Sequence, residues 1–183
     1  ALSNDIKATI GVIEDMGCTA SINDGVLTVD GTNIFKTDNV TLDCGESGSA
    51  LRFFIPVAAA GGINATFVGH GKLPERPIGI FTEALPKAGV KCKTEGGLPL
   101  KISGRLESGT FEIPGNVSSQ FITGLLLALP LVEGDSDIVL TSPIESVGYI
   151  NMTIHTMAQF GVEIETTDNG WHIKGGQSYI CLL

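Results

Sequence analysis

FTEALPKAGVKCKTEGGLPLKISG, residues 81–104, reads as an amphipathic helix, a glycine stop, a strand, a turn and a short strand ending in glycine. Two other stretches follow the same order: IGVIEDMGCTASINDGVLTVDG at 10–31 and IHTMAQFGVEIETTDNGWHIKGG at 154–176. The stop glycines Gly17, Gly89 and Gly161 stand 72 residues apart in both intervals. Glycine past a helix end takes the left-handed conformation without a Cβ penalty, so the three positions mark a period.

The other half of the unit recurs as well. GESGSALRFFIPVAAAGGINATFVG (45–69) is matched by GNVSSQFITGLLLALPLVEGDSDIVLTS (115–142), with Ser47 and Ser118 standing 71 residues apart. Each reads as a polar loop, an apolar helix, a turn and a strand. The unit is therefore strand, helix, strand, helix, strand, strand over about 72 residues. Three copies need about 216 residues and the chain has 183. The shortfall falls at the front, where the first unit is expected to lack its first strand and helix. A threefold α/β assembly clipped at its amino end is the expectation, with repeat remnants at 1–35, 36–107 and 108–183.

The helices divide by polarity. Those expected at 49–60 and 119–131 are apolar nearly all round and belong at the centre; the others carry polar faces and belong nearer solvent. Helices inside and sheets outside is the packing that follows. Pro130 is expected to end its helix and Pro56 to kink its own.

Composition narrows the function. The chain is 43% hydrophobic, 17% charged and rich in glycine (24), with net charge −9. General nucleic-acid binding needs a basic face and is disfavoured. An anionic small molecule needs a locally basic site against that field. Cys18, Cys44, Cys92 and Cys181 have no metal-ligand or redox spacing and read as small buried residues in a reducing cytosol. No metal set emerges, since His70 reads as loop surface, and His155 and His172 as structural residues. No apolar run reaches membrane-span length and no signal peptide opens the sequence, so a cytoplasmic location is expected. The chain begins at Ala1 without a Met and reads as a fragment.

Ser118, Ser119 and Gln120 head the second apolar helix. Backbone N–H groups there lack intrahelical partners and the dipole favours an anion, so hydroxyls and an amide at that end suit phosphate or carboxylate. Ordinary N-capping by serine is the other reading. The equivalent loop, GESGSALR at 45–52, offers Gly48 for close approach, with Arg52 either paired to Glu46 or supporting the site. In GHGKLPERPIG (69–79), Lys72 and Arg76 flank Glu75; this is either a surface ion pair or an anion clamp built on arginine's planar fork. Its repeat equivalent, TSPIESVGYIN (141–151), carries the hydroxyls of Ser146 and Tyr149. The four loops are expected on one edge, bearing hydroxyls, an amide and two cations. G-E-S-G-S misplaces the second glycine of a hydrolase elbow, and no Walker A pattern occurs.

At these motifs the sequence closely resembles the 5-enolpyruvylshikimate-3-phosphate synthase family. The matching stretches are LDCGESGSALRFF, LPERPIGIFTEAL, GNVSSQFITGLLLALPL, SVGYINMTIHTMAQFG and IKGGQSY, and they cover essentially the whole chain. The resemblance implies an inside-out α/β barrel lobe built of βαβαββ repeats, with about two and a half of three repeats present over 1–183 and a second, carboxy-terminal lobe absent. It implies transfer of the enolpyruvyl group of phosphoenolpyruvate to the 5-hydroxyl of shikimate 3-phosphate, releasing phosphate, with no metal or organic cofactor. Ser118, Ser119, Gln120, Ser146 and Tyr149 match residues that bind shikimate 3-phosphate. Gly48, Arg76 and Gln120 match those at phosphoenolpyruvate, Gly48 also being where the inhibitor glyphosate rests. Glu46 stands where many relatives have Asn, and Arg52 and Lys72 are site neighbours. The acid/base groups and the K-S-x-S-x-R opening motif fall outside the chain, so the chain alone is expected not to turn over.

Two other readings stay open. UDP-N-acetylglucosamine enolpyruvyltransferase shares the fold and chemistry, but its loop cysteine has no match here and S-S-Q favours the shikimate enzyme. A non-catalytic ligand-binding lobe on the same scaffold is the second. RNA-cyclase-like proteins use related units, but the −9 charge argues against them.

Overall fold

The computed structural model of the chain describes residues 1–181. Its elements run α1 (Asn4–Asp15), β1 (Thr19–Asn23), β2 (Val26–Asp30), β3 (Val40–Asp43), α2 (Gly48–Gly61), β4 (Ala65–Val68), α3 (Gly79–Ala84), β5 (Val90–Lys93), β6 (Leu100–Gly104), β7 (Thr110–Ile113), α4 (Ser119–Ala128), β8 (Ser136–Leu140), α5 (Val147–Gln159), β9 (Glu165–Thr167) and β10 (Gly170–Ile173). The βαβαββ order thus appears twice in full. The two four-stranded sheets have equivalent orders, β3-β4-β6-β5 and β7-β8-β10-β9. In each, the first two strands are parallel and the remaining pairs antiparallel.

The first remnant holds α1 and a hairpin of β1 and β2 only. It lacks the helix and both strands of the parallel pair, one strand more than the sequence reading allowed. The consequence is visible in burial. β6 and β10 bury one face, whereas every residue of β2 is exposed, Val26 at 64%. The three stop glycines behave alike: Gly17, Gly89 and Gly161 all have positive φ, at 111°, 84° and 78°.

α2 and α4 form the centre, and the sheets turn alternate residues outward, so the helices lie inside. α1 and α5 bury one and two residues respectively and lie nearer solvent, as their polar faces require. α4 stops at Ala128, and Leu129–Leu131 continue as a 3-10 turn. Pro130 supplies no N–H to the ladder, which is why the apolar run outlasts the α-helix. Pro86 acts likewise after α3, where Leu85–Ala88 form a 3-10 turn. α2, by contrast, runs through Pro56 without interruption.

That proline has a packing role. It offers no N–H to the carbonyl of Arg52, one turn back. Gly124 of α4 occupies the space against this carbonyl: a Cβ there would overlap the Arg52 oxygen and stand 2.9 Å from Pro56 Cγ. The two central helices therefore approach backbone to backbone.

Cys18 and Cys44 are buried as expected, but Cys92 is only half-buried and Cys181 is exposed on the carboxy-terminal segment, which adds no strand to either sheet. Among the described residues no helix is long and apolar enough to cross a membrane.

Two stability predictions follow from this packing. Gly124→Ala is expected to destabilise the chain by ~1–3 kcal/mol in urea unfolding, because neither backbone nor proline ring can step aside easily. The second concerns His172, whose Nδ1 lies 2.8 Å from Asp137 Oδ1 and whose Nε2 lies 3.6 Å from Asp135 Oδ2. The hydrogen bond to Asp137, aided by the surrounding carboxylates, raises the His172 pKa above its ordinary 6.5. A raised folded-state pKa contributes stability in full below the unfolded value and loses it as pH rises through the folded one. The urea midpoint is expected to fall as pH rises from 6.5 through the raised folded-state pKa, and Asp137→Asn to remove that part of the slope.

Candidate functional site

Helices α2 and α3 follow the carboxyl ends of the parallel strands β3 and β4, and α4 and α5 follow β7 and β8. All four helix starts thus gather at the strand ends where open α/β sheets bind ligands. Backbone hydrogen bonds tie the loops together in equivalent pairs: His70 N donates to Gly45 O at 2.9 Å, and Glu145 N to Gly115 O at 3.1 Å. Ser142 Oγ reinforces the second pair by accepting from the N–H groups of Gly115 and Asn116.

The serines divide into two roles. Ser47 and Ser118 are the N-caps of α2 and α4, accepting from Ala50 N at 3.2 Å and Gln120 N at 3.3 Å. The 71-residue spacing is thus realised as two equivalent caps, in which each serine oxygen accepts from the backbone and its O–H stays free to donate. The N–H groups of Gly48, Ser49 and Ser119 have no bonded acceptor among the described residues. Ser119 is buried at the first position of α4, and among the described residues neither its hydroxyl nor that of Ser146 has a hydrogen-bond partner. Tyr149 stands 65% exposed in the first turn of α5. One turn further into both helices, Thr123 and Thr153 meet hydroxyl to hydroxyl at 3.5 Å, linking the Ser119 side of α4 to the Tyr149 side of α5.

The two repeats join at the arginines. Arg52 Nη1 donates to Gln120 Oε1 at 2.9 Å, and the guanidinium carbon lies 4.7 Å from the centre of the Phe121 ring. Phe121 meets Phe81 edge-on, with ring centres 5.1 Å apart. Arg76 reaches the same place from the E-R-P-I-G loop: a Cβ on Gly48 would stand 2.7 Å from Arg76 Nη1 and 3.7 Å from Gln120 Oε1. Arg52 is half-buried, and burial first, then the like charge of Arg76, lower its pKa. Among the described residues, no carboxylate lies within ion-pair distance of either guanidinium.

Two of the open alternatives fall away and one expectation needs correction. Arg52 does not pair with Glu46; helix α2 carries it inward to Gln120 and Phe121, while the Glu46 carboxylate packs over Gly71. Glu75 forms no ion pair with Lys72 or Arg76. The two cations that meet are Arg76 and Arg52, for no hydrogen bond or ion pair ties the exposed Lys72 to the cluster. The Phe81–Phe121–Arg52 stack escaped the sequence reading, because phenylalanine inside an apolar run carries no mark of what it supports.

The site is locally cationic in a chain of net charge −9. Two guanidiniums, free backbone N–H groups at two helix starts and unbonded hydroxyls face an acceptor that the chain does not supply. That is the donor set for an oxyanion such as phosphate or carboxylate. Cys44, next to the loop, is no nucleophile: burial above all, with Asp43 beside it, pushes its thiol up to about 12. No cluster of three or more His, Cys, Asp or Glu side chains among the described residues is placed to hold a metal ion.

Comparison with known proteins gives consistent matches. The model of the family described as EPSP synthase (3-phosphoshikimate 1-carboxyvinyltransferase) matches residues 1–181. The 3-phosphoshikimate 1-carboxyvinyltransferase of Clostridium novyi is 43% identical over 96% of this chain and 43% of its own length. That of Clostridium kluyveri is 41% identical over 97% of this chain and 42% of its own. The chain thus spans less than half the length of these curated relatives. Among solved structures, EPSP synthase from Acinetobacter baumannii superposes with a TM-score of 0.84 over 98% of this chain and 41% of that one, at 23% identity.

The crowding at Gly48 is directly testable. Gly48→Ala is expected to keep folding stability within ~1 kcal/mol, because alanine suits a helix start better than glycine does. It is also expected to push Arg76 aside and weaken inorganic phosphate binding, read by NMR titration of both proteins.

Proposed function

The chain belongs to the EPSP synthase (3-phosphoshikimate 1-carboxyvinyltransferase) family, and from that premise we propose that it supplies the anion-binding half of an enolpyruvyl-transfer site. The reaction moves the enolpyruvyl group of phosphoenolpyruvate onto the 5-hydroxyl of shikimate 3-phosphate and releases phosphate. Both reactants are polyanions, and charge shifts among their oxygens as the tetrahedral intermediate forms and collapses. Preorganised donors in a partly dry site are what such chemistry requires. The observation that carries this reading is the convergence of Arg52 and Arg76 on Gly48 and Gln120 with no carboxylate to neutralise them.

In this assignment phosphoenolpyruvate lies over Gly48, its oxyanion taken by the fork of Arg76 and by Gln120. Gly48 keeps that floor low enough for the ligand. Shikimate 3-phosphate lies across the starts of α4 and α5. Ser118, Ser119 and Ser146 give it hydroxyl donors, Gln120 an amide and Tyr149 a phenol at the rim. Glu46 and Lys72 border the site and tune its field. These residues bind and orient the two anions. Proton transfer falls to groups from the rest of the enzyme, so the chain alone binds without turning over.

The same reading treats 1–183 as one lobe, with units over 1–35, 36–107 and 108–183, in a cytoplasmic enzyme. A groove of about 830 Å³ lies between α2, α4 and the β1–β2 hairpin, lined by Phe54, Val57 and Leu127 among others. A third apolar helix, equivalent to α2 and α4, would pack there.

Calorimetric titration with shikimate 3-phosphate tests the assignment. Saturable binding is expected, weakened about tenfold by Ser119→Ala, the loss of one hydrogen bond to a charged group. Equal affinity of the two proteins, or no saturation up to ~10 mM, overturns it.

A further inference from the structure

We propose that Arg52 is a positioning residue: it holds the side-chain amide of Gln120 in one orientation, so that Gln120 meets a bound oxyanion as a donor. A glutamine amide has two ends of nearly equal size, one accepting and one donating, and left alone it turns between them. Arginine can only donate. The 2.9 Å bond from Arg52 Nη1 therefore commits Oε1 to the arginine and leaves Nε2 as the free end, with no acceptor among the described residues. For a site that takes anions, this is the productive orientation.

Arg52 is itself held at two points. Its guanidinium lies on the Phe121 ring, the residue next to Gln120, so one arginine grips two neighbouring residues of α4. Phe121 is braced edge-on by the fully buried Phe81. Phe81 belongs to α3, which begins three residues after Arg76. One stack thus couples α2, α3 and α4, and with them the loop that carries Arg76. A guanidinium does this where an ammonium does not: its flat face stacks while its edge donates, both at once. Its charge faces Arg76 with no carboxylate partner among the described residues, and the Phe121 face and the Gln120 carbonyl offset only part of that repulsion.

The identity of the ligand rests on the reading above; the positioning claim does not. The side-chain amide of Gln120 is observed directly by ¹⁵N relaxation in the free chain, comparing wild type with Arg52→Met and Arg52→Lys. Wild type is expected to show an amide as ordered as the backbone of α4. Both variants are expected to show it averaged on the nanosecond scale, with backbone spectra confirming that the fold persists. Arg52→Lys is the milder change and keeps the test alive if Arg52→Met does not fold. An amide equally ordered in a folded variant overturns the proposal.

The second arm is a double-mutant cycle with Gln120→Ala, read by inorganic phosphate affinity. Arg52→Met is expected to weaken phosphate about tenfold in the wild-type background and several-fold less once Gln120 is gone, where only the loss of its charge remains. Equal weakening in both backgrounds, or full affinity in Arg52→Lys, would mean that Arg52 acts through its own charge, which overturns the positioning role. If wild type binds no phosphate while the amide still requires Arg52, the proposed function falls and the positioning claim stands.

Discussion

The contact on which this molecule depends is the one between α2 and α4. Pro56 leaves the Arg52 carbonyl without its ladder donor, and Gly124 brings a bare α-carbon against it. A side chain at 124 would wedge the helices apart at their closest point. The site lies one turn away on the same pair of helices. Arg52 sends its carbonyl to Gly124 and its guanidinium to Gln120, so the residue that shapes the crossing also joins the two repeats at the anion site. Close packing and the proposed anion binding are thus coupled through a single residue.

The second constraint is electrostatic. An acidic chain concentrates two arginines where two helices begin, and no carboxylate neutralises them among the described residues. Such an arrangement costs stability, because like charges face each other and one is half-buried. The cation–π contact with Phe121 and the Gln120 carbonyl offset part of that cost without cancelling the field. Under the proposed function, the uncompensated charge is what a polyanionic ligand recognises, and a cost of this kind is the usual companion of preorganised donors.

Repetition explains which parts were legible beforehand. A stop glycine needs a positive φ whatever surrounds it, so Gly17, Gly89 and Gly161 could be read as equivalent one by one. The same holds for the caps Ser47 and Ser118, whose role depends only on the helix they start. Pairings between repeats were not legible. Arg52 had Glu46 nearer in sequence, and nothing in the chain said that helix geometry would turn it toward Gln120 instead. Lys72 and Arg76 are four residues apart and looked like partners in one clamp, but a 3-10 turn at Leu73–Glu75 separates them and only the guanidinium of Arg76, itself an exposed residue, reaches Gly48. The burial of the cysteines failed at Cys181 for a related reason, since that segment adds no strand to either sheet.

The sequence by itself determined the period, the βαβαββ order of the unit, the two apolar central helices and the chemistry of the donors at their starts. Each follows from local rules: glycine conformation, cap preference, hydrophobic periodicity and the fixed hydrogen-bonding capacity of a side chain. Only the tertiary structure decided which donors converge. Arg52, Arg76, Gly48 and Gln120 come from three separate loops and helices. Their meeting is set by how closely α2 and α4 cross, and that distance depends on the absence of a side chain at Gly124 and of an N–H at Pro56, which gain meaning only when the two helices touch.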